Sequence, residues 1–185
     1  MGLFTKDIKT LDELFDHGLR AIYYAEEQIL KALPKLIEAS TNPQLKKGLK
    51  DHLKETEEQI ARLEQIFQMR EEKPKGTKCH GINGLIKEGD EVTGNVADKH
   101  VLDAAVIASA QAVEHYEMTR YGALIAWARQ MGRNDFALIL EENRAEERAA
   151  DEKLTTIAQG RVNAQAGGHA KKVSHGSRKS RRKAA

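Results

Sequence analysis

The sequence predicts an all-α protein, built as a bundle of four long helices and followed by a disordered basic tail. Apolar residues recur every three or four positions through most of the chain, which is typical of the buried face of a helix. The 185 residues include only 3 prolines and 14 glycines, so a turn-rich β-sandwich or barrel is not expected. The single cysteine, Cys79, excludes an intramolecular disulfide and any Cys-x-x-Cys zinc or redox motif.

The first helix is predicted to begin with a capping box, in which Thr10 is the capping residue and Glu13 follows three positions later. Pro34 lies inside the helical pattern and is expected to kink or interrupt the helix, because proline lacks a backbone N–H. The apolar stripe of this helix consists of Leu11, Leu14, Phe15, Leu19, Ile22, Ile29, Leu33, Leu36 and Ile37.

The second helix is predicted to start at Thr41-Asn42-Pro43, where a capping residue precedes a proline at the first helical position. The segment 71–80 contains Pro74 and Gly76 and ends the helical pattern. The segment 81–92 is predicted to form one short extra helix. The apolar stripe of the second helix consists of Leu45, Leu49, Leu53, Ile60, Leu63 and Phe67.

The third helix is predicted to end at Gly132, and the turn Arg133-Asn134-Asp135 starts the fourth. Short turns join the first helix to the second and the third to the fourth, whereas the connection 69–99 is long. Two antiparallel hairpins joined by one crossover form the topology of ferritin-like bundles. The apolar residues of the last two helices are Leu102, Val106, Val113, Tyr116, Leu124, Trp127, Phe136, Ile139, Leu140, Leu154 and Ile157.

Charge divides the chain into two unlike parts. Residues 1–159 contain 22 basic and 28 acidic residues and carry a net charge of −6, whereas residues 160–185 contain 8 basic residues and no acidic one. We therefore expect a bundle domain at residues 1–160 and a disordered basic tail at 161–185. No segment reaches the ~20 apolar residues of a membrane span, and no apolar export signal opens the chain, so we expect a cytoplasmic protein.

Carboxylates interrupt the apolar stripes of three helices. At about 100° per residue, Glu26 lies near the apolar residue Ile22 in the first helix, and Glu147 lies near the centre of the fourth helix's apolar face. Glu117 lies within the apolar face of the third helix, and Glu114 lies at its margin. An ionised carboxylate in a core costs several kcal/mol unless it is paired or binds a metal. A dinuclear metal site satisfies this requirement with carboxylates and one or two imidazoles from four helices.

Other interpretations remain open for these residues taken singly. A buried carboxylate can instead pair with an arginine, and the arginines available for this are Arg20, Arg120 and Arg144. His52 lies near the apolar face of the second helix, where a core or dimer-interface histidine is the alternative to a metal ligand. Glu55 lies away from the centre of that face, and Asp151 lies at the edge of the fourth helix's face.

Four short stretches resemble the YciE/YciF-type ferritin-like family, and the resemblance extends over about residues 5–160. These stretches are Tyr24-Ala25-Glu26-Glu27-Gln28, His52-Leu53-Lys54-Glu55-Thr56, Glu114-His115-Tyr116-Glu117 and Glu146-Glu147-Arg148-Ala149-Ala150-Asp151. The resemblance implies a ferritin-like bundle, an association with bacterial stress, a homodimer and a dinuclear centre of iron or manganese.

The third helix is also similar to that of rubrerythrin, since Glu114-x-x-Glu117 is followed by Tyr121. Rubrerythrins and manganese catalases have Glu-x-x-His in the second helix, whereas this chain has the reverse order, His52-x-x-Glu55. The resemblance gives Asp151 and Tyr121 the role of orienting the ligands. The metal-site residues that it implies are Glu26, His52, Glu55, Glu114, Glu117, Glu147 and Asp151.

Two functions of different classes follow. The first is a dinuclear-metal stress protein that acts on peroxide, oxygen or ferrous iron. The second is a non-enzymatic, dimeric structural stress protein whose basic tail binds nucleic acid or another polyanion without sequence specificity. The residues are compatible with both a catalytic and a non-catalytic role.

Overall fold

The computed structural model describes residues 7–168, which contain five α-helices and no β-strand. The helices are α1 (Leu11–Ala39), α2 (Pro43–Met69), α3 (His80–Asn95), α4 (Lys99–Gln130) and α5 (Asn134–Ile157). The all-α prediction is confirmed, and α3 is the predicted short extra helix. Within the described range, no helix combines the length and apolarity that a membrane span requires. The part of the predicted tail at 169–185 lies outside the described residues.

The four long helices form two hairpins around one core. α1 packs against α2 and α4, and α5 packs against α4 and α2, so the cyclic order around the core is α1, α2, α5, α4. Because the turns within each hairpin are short, the two helices of each hairpin run antiparallel. The short helix α3 lies outside this square and packs on α4 and α1. The predicted two-hairpin topology with a long crossover is thereby confirmed.

The helix ends follow the signals in the sequence. Thr10 closes a reciprocal capping box on α1, and the side chain of Asn42 accepts hydrogen bonds from the first turn of α2. Gly132 has a φ of +74° just after α4, a left-handed conformation that glycine adopts without strain. Pro34 does not interrupt α1, because the turns around it pack on the core through residues such as Leu33.

The C-terminal end of the bundle extends past the predicted domain boundary at residue 160. α5 leads into a π-helical turn, Ala158–Val162, and helical structure continues to residue 168. The turn packs against α4, and Ala158 and Val162 are buried there. Acidic residues therefore stop in the sequence before the helix ends, because apolar packing continues beyond the last acidic residue.

The interior is apolar at its ends and polar in its middle. Near one end, the rings of Phe15 and Phe136 stack at a centroid distance of 5.7 Å. The buried polar and charged residues are Glu26, Ser40, His52, Thr56, Gln59, Asp103, Glu114, Glu117, Asn143 and Glu147. Most of these lie near the middle of α1, α2, α4 and α5, so the four long helices enclose one polar layer.

Candidate metal centre

Every long helix contributes at least one metal-ligating side chain to the polar layer. Glu26 comes from α1, His52 from α2, Glu114 and Glu117 from α4, and Glu147 from α5. All five residues are between 0% and 4% exposed. Glu114 and Glu117 share one face of α4, because residues three positions apart are neighbours on a helix surface. The helices therefore direct four carboxylates and one imidazole into a volume that bulk water does not reach.

Four of these side chains form one compact cluster. Ligand atoms of His52, Glu114, Glu117 and Glu147 all lie within 4.8 Å of one another. The Nε2 atom of His52 is 3.3 Å from Oε1 of Glu114 and 3.9 Å from Oε2 of Glu147. One imidazole nitrogen with several carboxylate oxygens is a ligand set that suits divalent ions of the first transition series.

Glu26 adjoins this cluster from the α1 side. The Tyr121 hydroxyl donates a hydrogen bond to Oε1 of Glu26, while Oε2 is buried and has no hydrogen-bond partner among the described residues. After burial, the charge of Glu147 raises the pKa of Glu26, and the charges of Glu147 and Glu26 raise the pKa of Glu117, so Glu26 interacts electrostatically with the cluster. Glu26 is thus available to the cluster through one oxygen.

Ligand atoms in the polar layer lack partners to an unusual degree. Within residues 7–168, no hydrogen bond reaches Oε2 of Glu26 and Glu114, either carboxylate oxygen of Glu117 and Glu147, or either ring nitrogen of His52. Leaving one buried polar atom unsatisfied costs about 1–3 kcal/mol, and more when it is charged. A set of such atoms converging on one point is expected where a cation completes the interactions.

Arginine pairing does not account for these carboxylates. Arg20 pairs with Asp16 and Glu72, and Arg120 lies over the ring of Tyr116. In the part of the chain that the structure describes, the one ion pair that reaches Glu147 involves the His52 imidazole. The pairing of Glu26, Glu117 and Glu147 with these arginines is therefore wrong, and the third available arginine, Arg144, lies beside Gly122 of α4.

Burial and mutual repulsion hold protons on the cluster when no cation is present. Burial, followed by the charge of Glu147, raises the pKa of Glu26 to about 8. Burial raises the pKa of Glu114 to about 7, and it is also the main reason that the pKa values of Glu117 and Glu147 lie well above the ordinary range. Burial disfavours the charged His52 imidazole, but Glu55 and the buried glutamates outweigh it and raise the pKa of His52.

A chain of hydrogen bonds runs from the surface to Glu26. Nη1 of Arg62 donates to Oδ1 of Asn143 at 3.0 Å, and Nδ2 of Asn143 donates to the Tyr121 hydroxyl at 3.0 Å and to the Gln59 carbonyl at 3.3 Å. A guanidinium has donors only, so it fixes the orientation of the Asn143 amide. The Tyr121 hydroxyl must then donate to Glu26.

Besides the adjoining Glu26, the structure places two of the implied metal-site residues, Glu55 and Asp151, outside the four-residue cluster. The side chain of Glu55 is 42% exposed, and its Oε2 atom lies 3.6 Å from Nδ1 of His52, on the outer side of the imidazole. Asp151 accepts a hydrogen bond of 2.8 Å from Nε2 of Gln111 and lies 3.4 Å from Nε2 of His115. Sequence reasoning missed Arg62. The one sequence signal for it is indirect: Asn143 is a polar residue on an apolar helix face, and its side chain needs a hydrogen-bond donor such as Arg62.

Comparison with known proteins agrees with this architecture. Residues 10–167 match a family described as a domain of unknown function, DUF892. The chain is 42% identical over 161 residues to Protein YciF of Escherichia coli strain K12, which covers 86% of this chain and 97% of that protein.

Solved structures give the same result. YcfI of Rhodopseudomonas palustris superposes with a TM-score of 0.81 at 56% identity, covering 83% of this chain and 98% of that one. The crystal structure of the E. coli stress protein YciF gives 0.80 at 42% identity, covering 84% and 99%. A protein from Xanthomonas campestris pv. campestris gives 0.66 at 21% identity, covering 86% and 99%, and shares the fold. The resemblance to YciF-type proteins is confirmed, and the chain belongs to the DUF892 family.

Proposed function

We propose that the protein is a stress protein that binds two iron or manganese ions in the middle of its bundle and acts on oxygen, peroxide or ferrous iron. The observation that carries this proposal is the convergence of buried, unpartnered ligand atoms from all four long helices. The description of the E. coli relative as a stress protein supports the physiological setting. The residues that would hold the ions are Glu26, His52, Glu114, Glu117 and Glu147.

Charge balance supports two ions rather than one. The four buried glutamates carry a charge of −4 when ionised, and two divalent cations neutralise it, whereas one cation leaves two negative charges in the core. Uncompensated buried charge is strongly unfavourable. Six unpartnered carboxylate oxygens and the inward-facing Nε2 of His52 supply enough donors for two ions with open positions.

The chain's own residues hold the ligands in place and keep bulk water away. Tyr121 holds one oxygen of Glu26, so that the other oxygen is directed to the cluster. The glutamates and His52 are at most 4% exposed, which strengthens their electrostatic interaction with a bound cation. Iron or manganese, when bound, supplies the one-electron and oxygen chemistry that amino-acid side chains lack.

A second candidate function is a structural one. The description of the R. palustris relative proposes a structural role for that protein. In such a role the same ions would link four helices without turnover, in the way that structural metals contribute free energy to folding. The two candidates share the metal site and differ in whether a bound ion reacts with oxygen or peroxide.

The metal content of the purified protein tests the shared part of the proposal. The protein is loaded anaerobically with Fe(II) or Mn(II), desalted, and assayed for metal per chain. We expect two equivalents for the wild type and less than one-half equivalent for the double variant Glu117→Ala, Glu147→Ala. The matched control changes two exposed glutamates, Glu142→Ala and Glu152→Ala, and should retain two equivalents. A wild-type protein that binds less than one equivalent would contradict the proposal.

A further inference from the structure

Two cavities lead toward the candidate metal centre from different sides of the bundle. The first, here called the apolar cavity, lies between α1, α3 and α4. The second, here called the polar cleft, lies between α2 and α5. His52 and Glu114 line both of them, so the imidazole and this carboxylate stand between the two spaces.

The walls of the apolar cavity are mostly aliphatic, and the polar residues that line it are His52, Asp90, Ser109 and Glu114. Its principal lining residues are Ile29 and Leu33 of α1, Leu85 and Ile86 of α3, and Ala110 and Val113 of α4. At its outer end Lys35 pairs with Asp90 across α1 and α3, with an N–O distance of 2.7 Å. The inner end is formed by His52, whose ring nitrogens are buried and unpartnered.

The size and the walls of the apolar cavity restrict what it can admit. Its volume is about 40 Å³, and since a water-sized molecule needs roughly 10–15 Å³ on this measure, it admits only very small molecules. Along the aliphatic part of these walls a metal cation would lose its hydration before it reached His52 and Glu114, which is strongly unfavourable. Peroxide would lose hydrogen bonds to water that aliphatic walls do not replace. An uncharged diatomic molecule such as dioxygen is weakly hydrated, so it loses neither ionic hydration nor strong hydrogen bonds to water when it enters the cavity.

The polar cleft has two charged side chains of its own, although most of its lining is also apolar and includes Leu49, Leu154 and Ile157. It is larger than the apolar cavity, with a volume of about 170 Å³. Its charged lining includes the side chains of Glu55 and Lys153. The half-exposed Glu55 carboxylate lies beside Nδ1 of His52, between solvent and the buried cluster. The ammonium of Lys153 donates a hydrogen bond of 2.9 Å to Oδ2 of Asp51. A hydrated cation that enters the cleft therefore meets the half-exposed Glu55 carboxylate, together with the imidazole beside it, before it reaches the buried carboxylates.

We propose that dioxygen and metal ions reach the centre by separate routes. Dioxygen enters through the apolar cavity beneath α3, and divalent cations enter through the polar cleft, where Glu55 receives them and passes them to His52. This inference rests on the proposed function, since it gives the centre a substrate, dioxygen, and assigns Glu55 to metal uptake instead of permanent ligation.

Xenon tests the apolar route without any metal. Crystals of the metal-free protein are pressurised with xenon, an apolar probe of dioxygen-like size. Xenon is expected between α1, α3 and α4, and Ala32→Phe, which fills the cavity from the α1 side, should abolish its density there. Ala97→Phe, an exposed position after α3, should leave it unchanged. Absence of xenon from the wild-type cavity, or its persistence in Ala32→Phe, would overturn the apolar route.

Cobalt uptake tests the polar route. The rate at which Co(II) develops its absorption bands on mixing with metal-free protein is compared between the wild type, Glu55→Gln and Ala32→Phe. Glu55→Gln should slow uptake by about tenfold, the lower range of electrostatic steering, while the final metal content stays at two per chain. Ala32→Phe should leave the rate unchanged.

The outcomes separate the two routes from the proposed function itself. Loss of one equivalent of metal in Glu55→Gln would make Glu55 a ligand and overturn its assignment to uptake. An unchanged uptake rate in Glu55→Gln would overturn the polar route. A wild-type protein that binds no Co(II) would contradict the proposed function, whereas the xenon result is independent of metal binding.

Discussion

The hydroxyl of Tyr121 donates a hydrogen bond to Oε1 of Glu26, and this buried contact joins α4 to α1 beside the candidate metal centre. Both residues are 0% exposed. Asn143 donates a hydrogen bond to the same hydroxyl, so the hydroxyl proton of Tyr121 is directed to Glu26. The contact therefore keeps one oxygen of Glu26 as an acceptor and leaves the other for the cluster.

Removal of this hydroxyl should destabilise the metal-free protein. Tyr121→Phe leaves Oε1 of Glu26 without its donor, and an unsatisfied buried group costs about 1–3 kcal/mol in the free energy of unfolding. Urea denaturation monitored by circular dichroism measures the change. Tyr116→Phe is the matched control, since the half-buried Tyr116 hydroxyl lies 2.9 Å from the Cys79 sulfur, a weak hydrogen-bonding group, and its loss should cost less. Equal stability of the Tyr121→Phe variant and the wild type would show that the contact contributes nothing.

The metal-free protein should become less stable as pH rises from 5 to 8. The pKa values of Glu26 and Glu114 are raised to about 8 and about 7, so the folded chain holds protons that the unfolded chain releases above the ordinary glutamate pKa of 4.5. Their contribution is fully present below pH 4.5 and is lost as pH rises through 7 and 8. We expect each of the two groups to lower the free energy of unfolding by about 3 kcal/mol over this range.

Urea denaturation at several pH values in the presence of a chelator measures this decrease. Glu26→Gln removes one of the two titrating groups and should flatten the dependence. A metal-free wild type whose stability increases steadily between pH 5 and 8 would contradict the raised pKa values.

Added metal should reverse the effect of pH. A cation displaces the protons of the buried carboxylates, so its affinity increases as pH rises and fewer protons compete. A ligand present at 100 times its dissociation constant stabilises the folded state by about 2.7 kcal/mol. Calorimetry with and without Mn(II) should therefore show a larger increase in melting temperature at pH 8 than at pH 6. The same increase in the Glu117→Ala, Glu147→Ala variant would mean that Mn(II) binds elsewhere.

The basic segment at the end of the chain should bind polyanions independently of the bundle. Residues 160–185 contain 8 basic and no acidic residues, so contacts with phosphates should release counterions and weaken steeply with salt. Deletion of residues 169–185, which removes seven of these eight basic residues, should abolish a mobility shift of duplex DNA at low salt. Binding that persists in the truncated chain, or that does not change between two salt concentrations, would exclude this role.

Helical phase was sufficient to predict the fold and the burial of three carboxylates, but it placed Glu114 only at the margin of its face and did not single out the buried Asp103. The positions of Glu26, Glu117 and Glu147 within apolar stripes predicted burial, and all three are fully buried. The direction of a side chain from its helix follows from 3.6-residue periodicity alone. The same argument placed Glu55 away from the centre of its face, and the structure shows it on the outer side of His52.

The ends of long side chains could not be predicted in this way. In the sequence, Arg20 and Arg120 are candidate partners of the buried glutamates, but their guanidinium groups lie beside Asp16 and Tyr116. Arg62 was missed for the same reason, since its contact with Asn143 depends on how α2 and α5 pack together. Periodicity fixes where a side chain starts, whereas tertiary packing decides which group its charged end reaches.

The most direct measurement is the location of metal in crystals of Mn(II)-loaded protein by anomalous diffraction. Two anomalous peaks are expected within the bundle, bounded by His52, Glu26, Glu114, Glu117 and Glu147, and both should be absent from the Glu117→Ala, Glu147→Ala variant. Anomalous signal confined to the protein surface, with the buried cluster free of metal in fully loaded crystals, would contradict the account.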